Sequence, residues 1–145
     1  MRFLEKLKPL GLLVLRVSLG IAFMTHGYPK LISDTAHWER IFSGFGFPGY
    51  LAYVSGILEM FGGSLLVIGL FTRGAALLLA IEMGVVLVHT EIPAAGIHAF
   101  GNYELPLILG AASLALSTTG AGSISIDGAT FEFGRKAPKK TKAKD

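Results

Sequence analysis

The stretch that decides the fold runs from Tyr50 to Ile92, YLAYVSGILEMFGGSLLVIGLFTRGAALLLAIEMGVVLVHTEI. It divides at Phe71-Thr72-Arg73-Gly74 into two apolar segments, Tyr50 to Phe71 and Gly74 to Ile92. Each approaches the roughly 20 residues that an α-helix needs to cross a hydrocarbon core of about 30 Å. Two such segments joined by so short a turn predict a pair of membrane-spanning helices.

Two further apolar segments flank this pair, Leu10 to Ile32 before it and Leu105 to Ala121 after it. The predicted fold is therefore all-α, a four-transmembrane-helix bundle with spans at about 10–32, 50–71, 74–92 and 103–121. The composition supports this, because 52% of the residues are hydrophobic and 16% are charged, whereas a soluble domain carries about a quarter charged residues. This argues against an ordinary cytosolic enzyme.

Between the first two spans, an apolar stripe predicts a short helix that lies in the outer membrane interface. Asp34 is the expected N-cap, and the stripe recurs at i, i+3, i+4 and i+7. Its members are Trp38, Ile41, Phe42 and Phe45.

Residues 123–133, after the fourth span, alternate apolar and polar side chains around Asp127-Gly128. This pattern is typical of a small β-hairpin. We expect the hairpin to pack on the cytoplasmic face of the bundle or on a partner, because isolated hairpins are marginally stable. Residues 1–134 then form a single membrane domain, followed by a disordered polybasic tail at 135–145.

Positive charge is concentrated in that tail, which carries net +5 of a chain whose formal net charge is +3. The remaining 134 residues sum to −2, so no nucleic acid is expected as a partner. The tail lysines are either solvated or contact anionic lipid headgroups. Arg2, Lys6, Lys8 and Arg73 fall on the same side as the tail, so the positive-inside rule predicts a multi-pass protein of the cytoplasmic membrane with both termini cytoplasmic.

Ionisable residues inside the spans are the candidate functional groups, because a charge at the bilayer centre costs about 2.5 to 3.5 kcal/mol. Rise along the helices places Glu59 and Glu82 near the midplane. Arg16 reaches a similar level from the cytoplasmic side, and we expect it to pair with Glu59 or Glu82. These three residues and Arg73 are predicted to form a buried ion network.

The outer half carries a second set, His26, Lys30, His89, Tyr103 and Glu104. Imidazoles, an ammonium, a phenol and a carboxylate at one depth provide hydrogen-bond donors and proton-transfer groups for a quinone head group. The same side chains can instead satisfy one another and join three helices. No metal site is predicted, and the absence of cysteine means that electron transfer requires a bound cofactor or a partner.

A set of short motifs distributed over the four segments carries a family resemblance. The set comprises Arg16, Gly20, Phe23, His26-Gly27, Lys30, Glu59, Gly62-Gly63, Gly69-Leu70-Phe71-Thr72-Arg73, Glu82, His89 and Tyr103-Glu104-Leu105-Pro106. Over residues 11 to 128 it resembles the DoxX family of small four-helix membrane proteins. The resemblance implies a redox-associated role in a prokaryotic cytoplasmic membrane, linked to quinones or to oxidative stress.

Three functions remain open at this level. The first is a redox subunit that binds a quinone or a similar amphiphile, without a covalent cofactor, and that receives electrons from a partner protein at either face. If it is an enzyme, it is a quinone-linked oxidoreductase subunit. The second is a small transporter or proton pathway, which would require a homo-oligomer because four helices leave little room for alternating access. The third is an anchoring or assembly protein without catalysis.

Overall fold

A computed structural model describes residues 2–95, 98 and 100–135, and all regular secondary structure in these ranges is helical. The elements are α1 (Arg2–Tyr28) with a π-helical turn (Pro29–Ser33), α2 (Thr35–Gly44), α3 (Leu51–Ile68), α4 (Thr72–Val86) with a π-helical turn (Leu87–Glu91), α5 (Ile92–Ala95), α6 (Phe100–Thr119) and α7 (Ile126–Arg135). The all-α prediction is confirmed for the described residues. The rest of the predicted polybasic tail, residues 136–145, lies outside them.

Three of the described helical segments have the length and hydropathy of a membrane span. They are Phe3–Ser33, Leu51–Ile68 and Thr72–Glu91. The 20-residue helix α6 is not among them, because the polar residues near its start lower its hydropathy. A fourth span at α6 therefore stays a prediction.

The four long helices pack together around one apolar core. Helix α3 packs against α1 and α4, and α4 packs along α6, which also contacts α1. Each helix contributes a large apolar side chain that is fully buried, namely Phe23, Leu66, Leu79 and Leu116. This packing brings the C-terminal ends of α1 and α4 to the same end of the molecule as the N-terminal ends of α3 and α6.

Helices α1 and α3 lie in close backbone contact at Gly20 and Gly63. A Cβ on either glycine would lie 2.6 Å from the carbonyl oxygen of the other. Only glycine fits such a contact, so this pair sets the distance between the two helices.

The predicted hairpin at 123–133 is wrong, because helix α7 begins at Ile126. The Ser125 hydroxyl accepts a hydrogen bond from the Gly128 amide at 2.9 Å, which is an N-cap interaction. Asp127 does not form a turn with Gly128. Its Oδ1 and Oδ2 accept hydrogen bonds from the Phe71 and Thr72 amides at 2.9 and 2.8 Å, so it caps the start of α4 from another part of the chain.

Arg16 also acts at this end of the molecule, and its predicted pairing with Glu59 or Glu82 is wrong. Its guanidinium donates to the carbonyl oxygens of Ala121 and Ile124 at 3.1 and 3.0 Å. These carbonyls lie in the non-helical chain between α6 and α7, where no helical amide is available to them. Arg16 therefore ties α1 to the connection that leads into α7.

We predict that Asp127→Ala lowers the free energy of unfolding by about 1–2 kcal/mol, because two amides at the start of α4 lose their acceptor. Thermal unfolding in detergent measures this loss. Asp34→Ala is the matched control, since the Asp34 side chain makes no capping hydrogen bond to α2 and its removal should change stability by less than about 0.5 kcal/mol. Equal effects of the two substitutions would contradict the capping role.

Candidate functional site

A cavity of about 330 Å³ lies at the end of the molecule where the chain passes from α1 to α2. Its size falls in the range of about 300–1,000 Å³ that is typical of small-molecule sites. Most of its lining is apolar. The polar or ionisable lining residues are His26, Lys30, Trp38, Ser55, Glu59, Glu82, Thr90 and Glu91.

The predicted short helix is confirmed as α2, and its apolar stripe forms one wall of the cavity. Trp38, Ile41, Phe42 and Phe45 all line it. The Trp38 ring centroid lies 5.2 Å from Lys30 Nζ, within the range of a cation–π interaction. The stripe thus covers a buried ammonium, and the location of α2 in the outer interface stays a prediction.

A chain of charged and polar groups crosses the cavity from α1 to α4. Lys30 Nζ lies 2.8 Å from Glu59 Oε2 and donates a hydrogen bond to Ser55 Oγ at 2.8 Å. Ser55 Oγ in turn donates to Glu82 Oε1 at 2.6 Å. The direction of these bonds is fixed because an ammonium has no acceptor lone pair.

Local backbone geometry brings these groups together. Lys30 lies in the π-helical turn after α1 and is only 6% exposed. Ser55 and Glu59 are four residues apart on α3 and therefore share a helix face. Gly56 lies between them, and a Cβ there would be 2.9 Å from the Lys30 Cβ. A glycine at position 56 therefore allows the lysine to approach α3.

His26 lines the cavity one helical turn before Lys30. Its Nδ1 lies 2.8 Å from the carbonyl oxygen of Ala22. Because a carbonyl oxygen only accepts, Nδ1 is the donor in this contact. The neutral ring then presents Nε2 as an acceptor.

Three residues of the predicted quinone site are not among the lining residues. His89 is exposed, with its ring 6.0 Å from that of Phe47. Glu104 is exposed, whereas Tyr103 is buried. The structure therefore brings together His26 and Lys30 from this set, with Glu59 and Glu82 from the predicted inner network. Arg73 of that network is exposed.

Sequence reasoning missed Ser55 and the wall formed by α2. Ser55 is a hydroxyl in an apolar span, four residues before Glu59, and this spacing is the signal that could have indicated it. The assignment of Lys30 and Glu59 to different depths used a regular α-helical rise. That estimate is wrong, because Glu59 lies beside Gly27 of α1, where a Cβ would be 3.0 Å from the Glu59 Cβ, and the long side chain of Lys30 reaches the carboxylate from there.

Comparison with known proteins shows the family to which the chain belongs. The DoxX family model matches residues 11–91, which is more than half of the chain. The chain belongs to the DoxX family. This membership and the three apolar helices place it in a membrane, as the sequence predicts.

Curated relatives of this DoxX protein match along most of its length. CatD of Bacillus subtilis, whose name assigns it provisionally to the oxidoreductases, is 31% identical over 123 residues, which cover 85% of this chain and 89% of CatD. The inner membrane protein YqjF of Escherichia coli is 31% identical over 126 residues, 86% of this chain and 95% of YqjF. An uncharacterised protein of Haemophilus influenzae is 31% identical over 135 residues, 91% of this chain and 99% of that protein. No solved structure gives a significant match.

We predict that Lys30→Met destabilises this DoxX protein by about 3–5 kcal/mol, because it strands the carboxylate of Glu59, which is 2% exposed, in an apolar surrounding. The double variant Lys30→Met/Glu59→Leu should recover most of that loss, since it removes both charges. Unfolding of the purified variants in detergent measures both values. A double variant no more stable than Lys30→Met would show that the two charges do not depend on each other.

Proposed function

We propose that this DoxX protein is a redox-associated membrane subunit that binds a quinone or a similar amphiphile in the cavity described above. The observation that carries the proposal is the combination of an aromatic wall with a buried polar chain. Aromatic side chains of α2 offer faces against which a flat ring stacks. The indole N–H of Trp38 and the carboxyl group of Glu82 offer polar contacts to oxygen-bearing groups on that ring.

The location of the cavity supports an amphiphilic ligand in particular. Its lining includes Val85, Val86 and Leu105, which are apolar side chains of α4 and α6. A ligand that places a polar ring beside Lys30 therefore finds apolar surroundings for the rest of its structure. Such a division between a few polar groups and a mainly apolar lining is typical of small-molecule sites.

A separate partner protein is the proposed electron donor. The chain has no cysteine, so it lacks the thiols of iron–sulfur and disulfide chemistry. Its Gly62-Gly63 pair lies inside α3, whereas a dinucleotide-binding loop lies between a strand and a helix. The name of the relative CatD is consistent with an oxidoreductase role for this protein.

The test is ligand-dependent stabilisation of the purified protein. Binding of a short-chain quinone at a hundredfold excess over its dissociation constant should raise the unfolding free energy by about 2.7 kcal/mol. Val86→Phe should abolish this stabilisation, because Val86 lines the cavity and the larger ring would occupy the ligand's space. Val88→Phe is the matched control, because Val88 is 60% exposed and is not a lining residue.

Two results would contradict the proposal. The first is a wild-type protein whose unfolding does not change with quinone concentration. The second is a folded Val86→Phe variant that retains the full quinone effect, which would show that the ligand binds elsewhere. A loss of the effect in both valine variants would point to general disruption of this part of the protein.

We also propose a topology of four spans with both termini cytoplasmic, including α6 as the fourth. It is supported by the excess of lysine and arginine in the segments that this topology assigns to the cytoplasmic side. Because the chain lacks cysteine, single cysteines are unique labels. Ser123→Cys should be shielded from an impermeant thiol reagent in intact cells, whereas Ala36→Cys in α2 should react. The opposite labelling pattern would reverse the orientation.

A further inference from the structure

We infer that the cavity selects the reduced, hydroxyl-bearing form of the ring, a quinol or another phenol, over the oxidised quinone. In this arrangement a ligand hydroxyl donates a hydrogen bond to Glu82 Oε2. The inference rests on the proposed function and adds the chemical form of the ligand to it. It follows from counting which hydrogen-bond donors and acceptors in the cavity are already used.

The ammonium of Lys30 is occupied by the protein itself. One N–H donates to Ser55 Oγ, and the Glu59 carboxylate lies 2.8 Å from Nζ. The rings of Trp38 and Phe42 lie 5.2 and 6.0 Å from Nζ and cover it further. An ammonium has three hydrogens, so these two contacts leave one N–H, and the two aromatic rings lie over the same ammonium.

The hydroxyl hydrogens at the cavity are also used internally. Ser55 Oγ donates to Glu82 Oε1. Thr90 Oγ1 donates to the carbonyl oxygen of Val86. Neither hydroxyl is therefore available as a donor unless a protein hydrogen bond is broken.

Acceptors, by contrast, remain open. Glu82 Oε2 is buried and has no hydrogen-bond partner in the described part of the chain. In a neutral His26 ring, Nε2 is a second acceptor, because Nδ1 carries the hydrogen in its contact with Ala22. A buried acceptor without a partner is costly, and hydrogen bonds to charged groups are among the stronger ones.

This inventory distinguishes the two oxidation states of a ring. A quinone carbonyl has only lone pairs, which would face the lone pairs of Glu82 Oε2. A quinol hydroxyl supplies the hydrogen that Oε2 lacks. With a neutral His26 ring, the remaining side-chain donors among the described lining residues are the indole N–H of Trp38 and the third N–H of Lys30.

The experiment compares three ligands in detergent without oxygen: durohydroquinone, duroquinone and the dimethyl ether of durohydroquinone. The wild-type protein should bind the quinol about tenfold or more tightly than the quinone, a ratio that one hydrogen bond to a charged group accounts for. The ether should bind no better than the quinone, because it has the quinol's ring but no donor. Isothermal titration or ligand-dependent unfolding measures each affinity.

Glu82→Gln should reverse or abolish the preference. The amide oxygen still accepts from Ser55, while the NH₂ group takes the place of Oε2 and offers a donor to the ligand. Glu104→Gln is the matched control, because this exposed carboxylate is not a lining residue, and it should keep the wild-type ratio. Trp38→Phe should weaken both ligands yet keep the ratio, since its N–H is not the selecting group.

The outcomes separate this inference from the proposed function. A wild-type protein that binds none of the three rings overturns both. A wild-type protein that binds quinone as tightly as quinol, or ether as tightly as quinol, overturns the inference while the proposed site stands. A folded Glu82→Gln variant with an unchanged ratio also overturns it, and the ether comparison decides the question if that variant does not fold.

Discussion

The buried contact between Lys30 and Glu59 is the constraint on which the rest of this structure depends. Transfer of two charges from water to an apolar interior costs several kcal/mol per ion, and their attraction offsets this only with good geometry and additional hydrogen bonds. The protein meets both conditions, with a 2.8 Å contact and a hydroxyl from Ser55. Several residues around the cavity give this ion pair the space and the contacts that it requires.

The surroundings of the pair explain features that are otherwise unrelated. Gly56 leaves space for the lysine stem, and Trp38 and Phe42 cover its ammonium. The second carboxylate, Glu82, has no cation of its own and joins the chain through Ser55. One ammonium shared between two acids leaves Glu82 Oε2 as an acceptor without a donor in the described part of the chain. A site with this imbalance is suited to a ligand that brings hydrogens.

The large features could be predicted from the sequence because they follow from length and hydropathy. The apolar segments, the helix after Asp34 and the membrane location are of this kind. The pairing of charges could not be predicted, because it depends on which distant parts of the chain the packing brings within reach of each side chain. Helical rise placed Lys30 in the outer half and Glu59 near the midplane, yet the two side chains are in contact. Helical rise placed Arg16 at a depth similar to that of Glu59 and Glu82. Its guanidinium instead donates to backbone carbonyls between α6 and α7. The Asp127-Gly128 pair is a sequence typical of a hairpin turn. The Asp127 carboxylate instead accepts hydrogen bonds from two amides at the start of α4.

The two π-helical turns, Pro29–Ser33 and Leu87–Glu91, lie at the same end of the molecule, on helices that both line the cavity. A π-helical turn accommodates one more residue than an α-helical turn, so it is equivalent to a single-residue insertion in the helix. Shortening the chain by one residue in either turn would restore a regular hydrogen-bond ladder. The side chains that follow the deleted residue would also rotate about the helix axis by about 100°, the angle per residue of an α-helix. In sequence comparisons of this protein with its relatives, a one-residue gap at either turn would therefore mark a change of ligand site rather than a neutral change of length.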